Sequence, residues 1–114
     1  PTEKTLWNCI VAFRNYPFTT LSGLPFTYGL KMGRHGKFTK ELWITRRENS
    51  KSLTWSSVLL AFRNIEEIGA EVERPKALGD IRGVSYIYAL FCRFGLISPP
   101  RYDIASKGLL LRGN

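Results

Sequence analysis

The chain has 114 residues, of which 44% are hydrophobic and 13% aromatic, and it has a formal net charge of +8. This length allows one domain with a packed core and is short for two. No stretch reaches the roughly 18 consecutive apolar residues that span a bilayer, and the first residues lack the basic and apolar regions of a signal peptide. We therefore expect a cytoplasmic protein with no membrane-bound part.

Residues 3–15 are predicted to form the first helix, with Leu6, Ile10 and Phe13 on one face and Pro17 ending it. Alternating apolar residues then predict a strand over residues 26–31.

A glycine-flanked basic loop follows at residues 33–37, and the chain returns as a second strand of a hairpin from Phe38 to Ile44. His35 in this loop has no neighbouring Ser or Cys that would form a nucleophile–base pair, so we expect it to contact phosphate at most.

Residues 41–68 are the most informative unit of the sequence. Alternation places Leu42, Ile44 and Arg46 on one side of a strand and Trp43, Thr45 and Arg47 on the other. Asn49 and Ser50 are predicted to form a turn, because their side chains can bond nearby backbone groups.

The pattern then changes to a helical period, with an apolar stripe formed by Trp55, Val58, Leu59, Phe62 and Ile65. Ser52 or Thr54 is the predicted N-terminal cap of this helix, and Gly69 its end. The helix is expected to cover one face of the sheet, with Phe62 buried beneath it.

The C-terminal part contains a basic loop at residues 74–83, with Pro75 and two glycines, and then an apolar helix at residues 86–94 capped by Ser85. A short strand at residues 96–97 is also possible. The sequence thus predicts an α+β fold: residues 1–98 form a single domain with a small antiparallel sheet, a basic β-hairpin and about three helices. Residues 99–114 form a basic tail, which we expect to be flexible until a partner orders it.

The cysteines and acidic residues give little support for catalysis. Cys9 and Cys92 are far apart, which excludes a cysteine-based zinc knuckle, and we expect both to be reduced and buried. We expect no enzyme activity and no metal or other cofactor. A metal-dependent nuclease remains open, because Glu41, Glu48, Asp80 and Lys51 would form such a site if the carboxylates converged on a metal.

Charge is unevenly distributed along the chain. Residues 31–51 contain seven basic and two acidic residues, a net charge of +5, whereas residues 66–73 contain four glutamates and no base. A positive and a negative face are therefore predicted, and the positive face is typical of a protein that binds a polyanion. The predicted partner is DNA, with a duplex favoured and RNA left open. The candidate nucleic-acid-binding residues are Lys31, Arg34, Lys37, Lys40, Arg46, Arg47, Lys51, Lys76 and Arg82.

In this interpretation the chain is a small accessory or regulatory factor of bacterial or mobile-element origin, which contacts DNA through the basic hairpin and the adjoining helix N-terminus. The backbone of residues 79–83, which precedes the last helix, is a further candidate phosphate contact. A second arrangement uses the last helix as a recognition helix, although its apolar sequence lacks the polar face that base contacts need.

The alternative function is a protein-interaction module, such as an inhibitor that occupies the nucleic-acid channel of an enzyme. Both functions are electrostatic, so the sequence leaves them open.

Overall fold

A computed structural model describes residues 1–46 and 50–98 of the chain. Its strands pair in the order β1-β2-β3-β4, every pair antiparallel. The elements in chain order are α1 (Glu3–Ala12), β1 (Phe18–Thr19), β2 (Pro25–Gly29), β3 (Glu41–Thr45), β4 (Ser50–Thr54), α2 (Trp55–Ile68) and α3 (Val84–Arg93), with short 3₁₀ turns at Arg34–Gly36 and Pro75–Leu78. The predicted α+β fold, a small antiparallel sheet with three helices, is confirmed.

The strand register gives the sheet two unlike faces. Tyr28 pairs with Ile44, and Leu42 with Leu53, so these side chains share one face, and each is at most 2% exposed. We call this the inner face, because the buried residues of α2 and α3 belong to the same hydrophobic core. The opposite, outer face has Gly29, Trp43 and Ser52 in one row and Thr27, Thr45 and Ser50 in another.

The first helix is attached to the inner face by a buried hydrogen bond. Tyr28 Oη donates to the carbonyl oxygen of Ile10 over 2.5 Å. Burial raises the pKa of the Tyr28 hydroxyl well above its ordinary value, so this donor keeps its proton. α1 ends at Ala12, three residues before the predicted end, because Asn15 takes a positive φ of 67° and donates its backbone N–H to Tyr28 O at 2.7 Å.

β4 was not predicted from the sequence. Ser50, one of the two predicted turn residues, instead begins this strand and pairs with Thr45. The other, Asn49, lies outside the described residues. The strand has only one large apolar residue, Leu53, which is why its alternation is weak in the sequence. Pairing along the whole length of β3 stabilises it instead.

α2 begins and ends where the sequence predicts. Thr54 caps it, accepting a hydrogen bond from the Ser57 backbone N–H at 3.3 Å, and Gly69 follows its last residue. The expectation that Phe62 is buried beneath the sheet is wrong. Phe62 is only partly buried and packs against Phe91 of α3, with ring centroids 6.3 Å apart, because α2 turns the small Ala61 toward the centre of the core.

The predicted cap of α3 is also wrong. Gly83 precedes the helix in a left-handed conformation with φ 79°, and its carbonyl accepts from the N–H groups of Tyr86 and Ile87. Ser85 therefore lies inside the first turn. The predicted short strand at residues 96–97 is reduced to an isolated bridge between Ser98 and Glu71.

Cys9 and Cys92 are free thiols, each partly rather than fully buried. In the part of the chain that the structure describes, no helix combines the length and the apolar composition that crossing a membrane requires.

Candidate nucleic-acid interface

The basic residues predicted to form one hairpin patch lie at opposite ends of the sheet. β3 runs from Glu41 to Thr45, so Lys40 precedes its first residue and Arg46 follows its last. Five residues of extended strand span about 17 Å. The end of the sheet where β2 is joined to β3 therefore carries Lys31, Arg34, Lys37 and Lys40. The end where β3 is joined to β4 carries Arg46 and Lys51. Arg47 lies outside the described residues.

At the end of the sheet where β3 is joined to β4, a groove of about 690 Å³ opens between the sheet and the segment that leads into α3. We call it the basic groove. Its lining includes four basic side chains, Arg46, Lys51, Arg74 and Lys76, together with Pro75, Ile81, Gly83, Val84, Ser85 and Tyr86. None of these lining residues is acidic.

Arg46 is positioned by the core. It continues the alternation of Leu42 and Ile44, so its side chain extends from the inner face toward α3. Its Nη1 donates a hydrogen bond to Tyr86 Oη over 2.5 Å, and its guanidinium lies 5.8 Å from the centre of that ring. Tyr86 is 4% exposed and packs edge-on against Phe26, with ring centroids 5.0 Å apart. A fixed ring thus restricts the guanidinium to the groove wall.

Lys51 enters the groove from β4. It pairs with Ile44, which places it on the inner face close to where the sheet ends. The side chain is partly buried. An amphipathic lysine of this kind buries its methylenes and keeps its ammonium in water.

Arg74 and Lys76 reach the groove from a tethered loop. Pro75 begins the 3₁₀ turn Pro75–Leu78, and the turn is fixed by the buried Leu78. Asn64 of α2 donates its Nδ2 hydrogen to the Leu78 carbonyl at 2.7 Å. Both basic side chains are exposed on this short, doubly attached segment.

The N-terminus of α3 forms the remaining wall. No side chain caps this helix, and the residue before it is Gly83. Two of its first N–H groups have backbone acceptors, since Val84 donates to the Ile81 carbonyl at 3.1 Å and Tyr86 to the Gly83 carbonyl at 3.0 Å. The positive end of the helix dipole still favours an anion at this wall. Arg82 is exposed beside this terminus but does not line the groove.

At the other end of the sheet, two of the predicted lysines contact tryptophans. Lys31 Nζ lies 3.7 Å from the centre of the Trp43 ring. Lys40 Nζ lies 5.3 Å from the ring of Trp7 and 5.8 Å from that of Trp55. Arg34, His35 and Lys37 are exposed in the loop between β2 and β3. The cations at this end are spread over a loop and two lysines that contact tryptophan rings.

Of the eight candidate residues that the structure describes, the basic groove brings together Arg46, Lys51 and Lys76. The sequence did not single out Arg74 or Tyr86. Arg74 could have been predicted from the sequence, since it belongs to the same basic loop as Lys76. Tyr86 could not, because nothing in the local sequence indicates that it contacts a residue 40 positions earlier.

The described residues of the nuclease hypothesis do not form one group. Glu41 and Lys51 lie on opposite faces of the sheet, and Glu48 is outside the described residues. Among residues 1–46 and 50–98, no three His, Cys, Asp or Glu side chains are close enough to bind a metal together.

α3 is unsuited to the role of a recognition helix. Val84 and all residues from Tyr86 to Phe91 are buried, which leaves Ser85 and Arg93 as its exposed residues.

Comparison of the chain with protein-family models, curated proteins and solved structures found no match. Function is therefore inferred from the geometry and charge of the site.

Proposed function

We propose that the protein binds DNA by contacting backbone phosphates in the basic groove, with duplex DNA as the principal ligand and without a cofactor. The observation that supports this proposal is the convergence of Arg46, Lys51, Arg74 and Lys76, from three separate segments, on one groove whose described lining residues include no Asp or Glu. Exposed lysines and arginines usually spread apart or pair with carboxylates, because like charges repel. A groove lined by four of them favours a polyanion.

The groove offers two kinds of phosphate contact. Arg46 is already oriented by Tyr86, so it loses little conformational freedom when it binds. The N-terminus of α3, which has no side-chain cap, places the positive end of its helix dipole at the groove wall. Lys51, Arg74 and Lys76 supply further positive charge, and each phosphate contact releases a counterion. Such contacts position a protein on DNA without reading its sequence.

The proposal is tested by measuring the affinity for a labelled duplex by fluorescence anisotropy across a range of salt concentrations. Log affinity is expected to fall linearly with log salt, with a slope of about −0.9 for each phosphate contact. Lys76→Ala and Arg74→Ala should each weaken binding and flatten the slope by about 0.9.

Lys37→Ala is the matched control, because it removes the same charge from an exposed residue at the other end of the sheet. It should leave the slope nearly unchanged. If Lys37→Ala weakens binding as much as Lys76→Ala, net charge or the loop between β2 and β3 is responsible, and the groove is not the site.

The alternative, a protein-interaction module, is favoured by a different observation. Glu66, Glu67, Glu71 and Glu73 are all exposed around the end of α2, beside Ile68, which is 45% exposed. If the parent protein binds no DNA at low salt, this surface and the inhibitor function become the first hypothesis.

A further inference from the structure

A second groove lies between the edge of the sheet and the C-terminal half of α3. Its volume is about 640 Å³, and it is lined by residues 17–21, which contain β1, and by Tyr88, Ala89, Cys92 and Arg93 of α3. Apart from two threonines and Arg93, these side chains are apolar or aromatic. We call it the apolar groove.

Arg93 holds the two walls of the apolar groove together. Its Nη1 donates a hydrogen bond to the Pro17 carbonyl at 3.2 Å, and its guanidinium lies 5.4 Å from the centre of the Phe18 ring. Phe18 is 3% exposed and stacks on Phe26 in the core. The groove is thus bounded by fixed elements on both sides. Leu21, which also lines it, is 52% exposed, so the opening is apolar as well.

The described part of the chain ends beside the apolar groove. Tyr88 Oη donates to the Val72 carbonyl at 2.6 Å, and the Val72 N–H donates to the Ser98 carbonyl at 3.3 Å. Ser98 is therefore only two hydrogen bonds away from a wall residue of the groove. The next ten residues, 99–108, span up to about 33 Å when extended. A segment that begins at residue 109 can therefore reach the groove.

Residues 109–111 are the only three consecutive leucines of the chain. We call them the leucine segment. Moving leucine side chains from water into apolar surroundings is favourable. A cavity of roughly 150 Å³ holds a molecule of the size of benzene, so the apolar groove has room for two or three leucine side chains.

We propose that the leucine segment docks in the apolar groove of its own chain, against β1 and α3. The partner that orders this part of the tail is then the core of the protein itself. This inference is independent of the proposed DNA binding.

Charge and volume favour this groove over others on the surface. Residues 99–114 contain Arg101, Lys107 and Arg112 against Asp103, a net charge of +2. In the basic groove these cations would lie beside four more, and like charges repel. A groove beside Phe62 has a volume of only about 260 Å³, which limits it to about one leucine side chain.

Cys92 in the groove wall provides a direct measurement. In a Cys9→Ser background it is the sole thiol, so its alkylation rate reports how well the groove is covered. Replacing all three leucines of the segment by serine should raise this rate roughly tenfold, the factor that corresponds to about 1.4 kcal/mol of docking free energy. Ile104→Ser changes another apolar residue of the tail. It is the matched control and should leave the rate unchanged.

A disulfide identifies the docked segment. Leu110→Cys in the Cys9→Ser background should form a disulfide with Cys92 of the same chain under mild oxidation. The product is a monomer whose mass is lower by two hydrogens. Ser106→Cys lies in the same tail outside the leucine segment, and it should react roughly tenfold more slowly because docking does not raise its effective concentration at the groove.

Circular dichroism melting shows whether each variant is folded, and the disulfide decides the matter if the triple-serine variant does not fold. The inference is overturned if the folded triple-serine variant is alkylated at the parent rate, or if the cysteines at positions 106 and 110 form the disulfide equally fast. A disulfide that joins two chains also overturns it, because the groove would then bind the leucine segment of a second copy.

Discussion

Arg46, the residue that follows β3, donates a hydrogen bond to the hydroxyl of Tyr86 in α3 over 2.5 Å. The contact joins the end of the sheet to the helix that is most deeply buried in the core. Because Tyr86 also packs on Phe26, the position of a groove cation depends on the packing of two core aromatic rings. If Arg46 binds phosphate as proposed, stability and binding are coupled at this point.

Tyr86→Phe removes the hydrogen-bond acceptor and keeps the ring. We expect the free energy of unfolding to fall by about 0.5–1.5 kcal/mol, the usual net value of one hydrogen bond, as measured by urea denaturation. DNA affinity should fall less than in Arg46→Ala, because the charge is kept and only its orientation is lost. Equal losses of affinity in the two variants would mean that orientation, rather than charge, determines the contribution of Arg46.

Much of the fold is predictable from local pattern. The alternation of Leu42, Ile44 and Arg46 identifies the inner face, and the helical period of residues 55–68 together with Thr54 and Gly69 gives α2 to within one residue. β4 could not be found in this way. Its stability comes from pairing with β3, and a strand with one large apolar residue has almost no pattern of its own.

The site was harder to predict because closeness in sequence differs from closeness in space. The cluster of bases at residues 31–51 suggested one patch, but an intervening strand separates its two ends. The groove arises only when Arg46 and Lys51 meet Arg74 and Lys76, a contact between segments more than 20 residues apart. The net charge of a sequence segment does not show which other segments it contacts in the folded protein.

The stability centre is expected to be the inner face rather than Phe62. Leu53 of β4 is 2% exposed and faces the core from the inner face of the sheet, so Leu53→Ala should cost about 2–5 kcal/mol of unfolding free energy. Phe62→Ala should cost less than this, because the ring is partly exposed and the cavity opens toward solvent. Leu60→Ala, at a 51% exposed position of the same helix, is the control and should stay within about 0.5 kcal/mol of the parent. Urea denaturation of the three variants checks this order, which a larger loss in Phe62→Ala than in Leu53→Ala would contradict.

Cys92 is expected to react slowly with alkylating reagents. Burial raises the pKa of its thiol, and a side-chain hydrogen bond with Tyr88 opposes that shift only in part. The thiolate is the reactive form, so at pH 8 the folded protein should contain less of it than a free cysteine does. The rate should therefore rise over a higher pH range than for a model thiol.

This rate can be measured on a Cys9→Ser variant, in which Cys92 is the sole thiol. Denaturant provides the control, because the unfolded chain should react at the rate of a free cysteine. Rapid alkylation of the folded variant at neutral pH would contradict the prediction.

Gly83→Ala tests how the start of α3 is built. Gly83 has a φ of 79°, and a Cβ there would lie 2.2 Å from Leu53 Cδ2. Gly95 has nearly the same φ, 78°, with no atom within 4 Å of its Cβ position. Gly95→Ala should therefore cost only the left-handed conformation, about 1–2 kcal/mol, while Gly83→Ala should cost roughly a further 1–3 kcal/mol because the Leu53 side chain is held in a packed core.

The double variant Gly83→Ala with Leu53→Ala separates these contributions. Removing the Leu53 methyl groups makes room for the new Cβ, so the loss in the double variant should be smaller than the sum of the two single losses. A sum that is simply additive would mean that Leu53 moves aside at no cost. In that case the glycine is required by its φ alone, and Gly83→Ala and Gly95→Ala should be equally stable in urea denaturation.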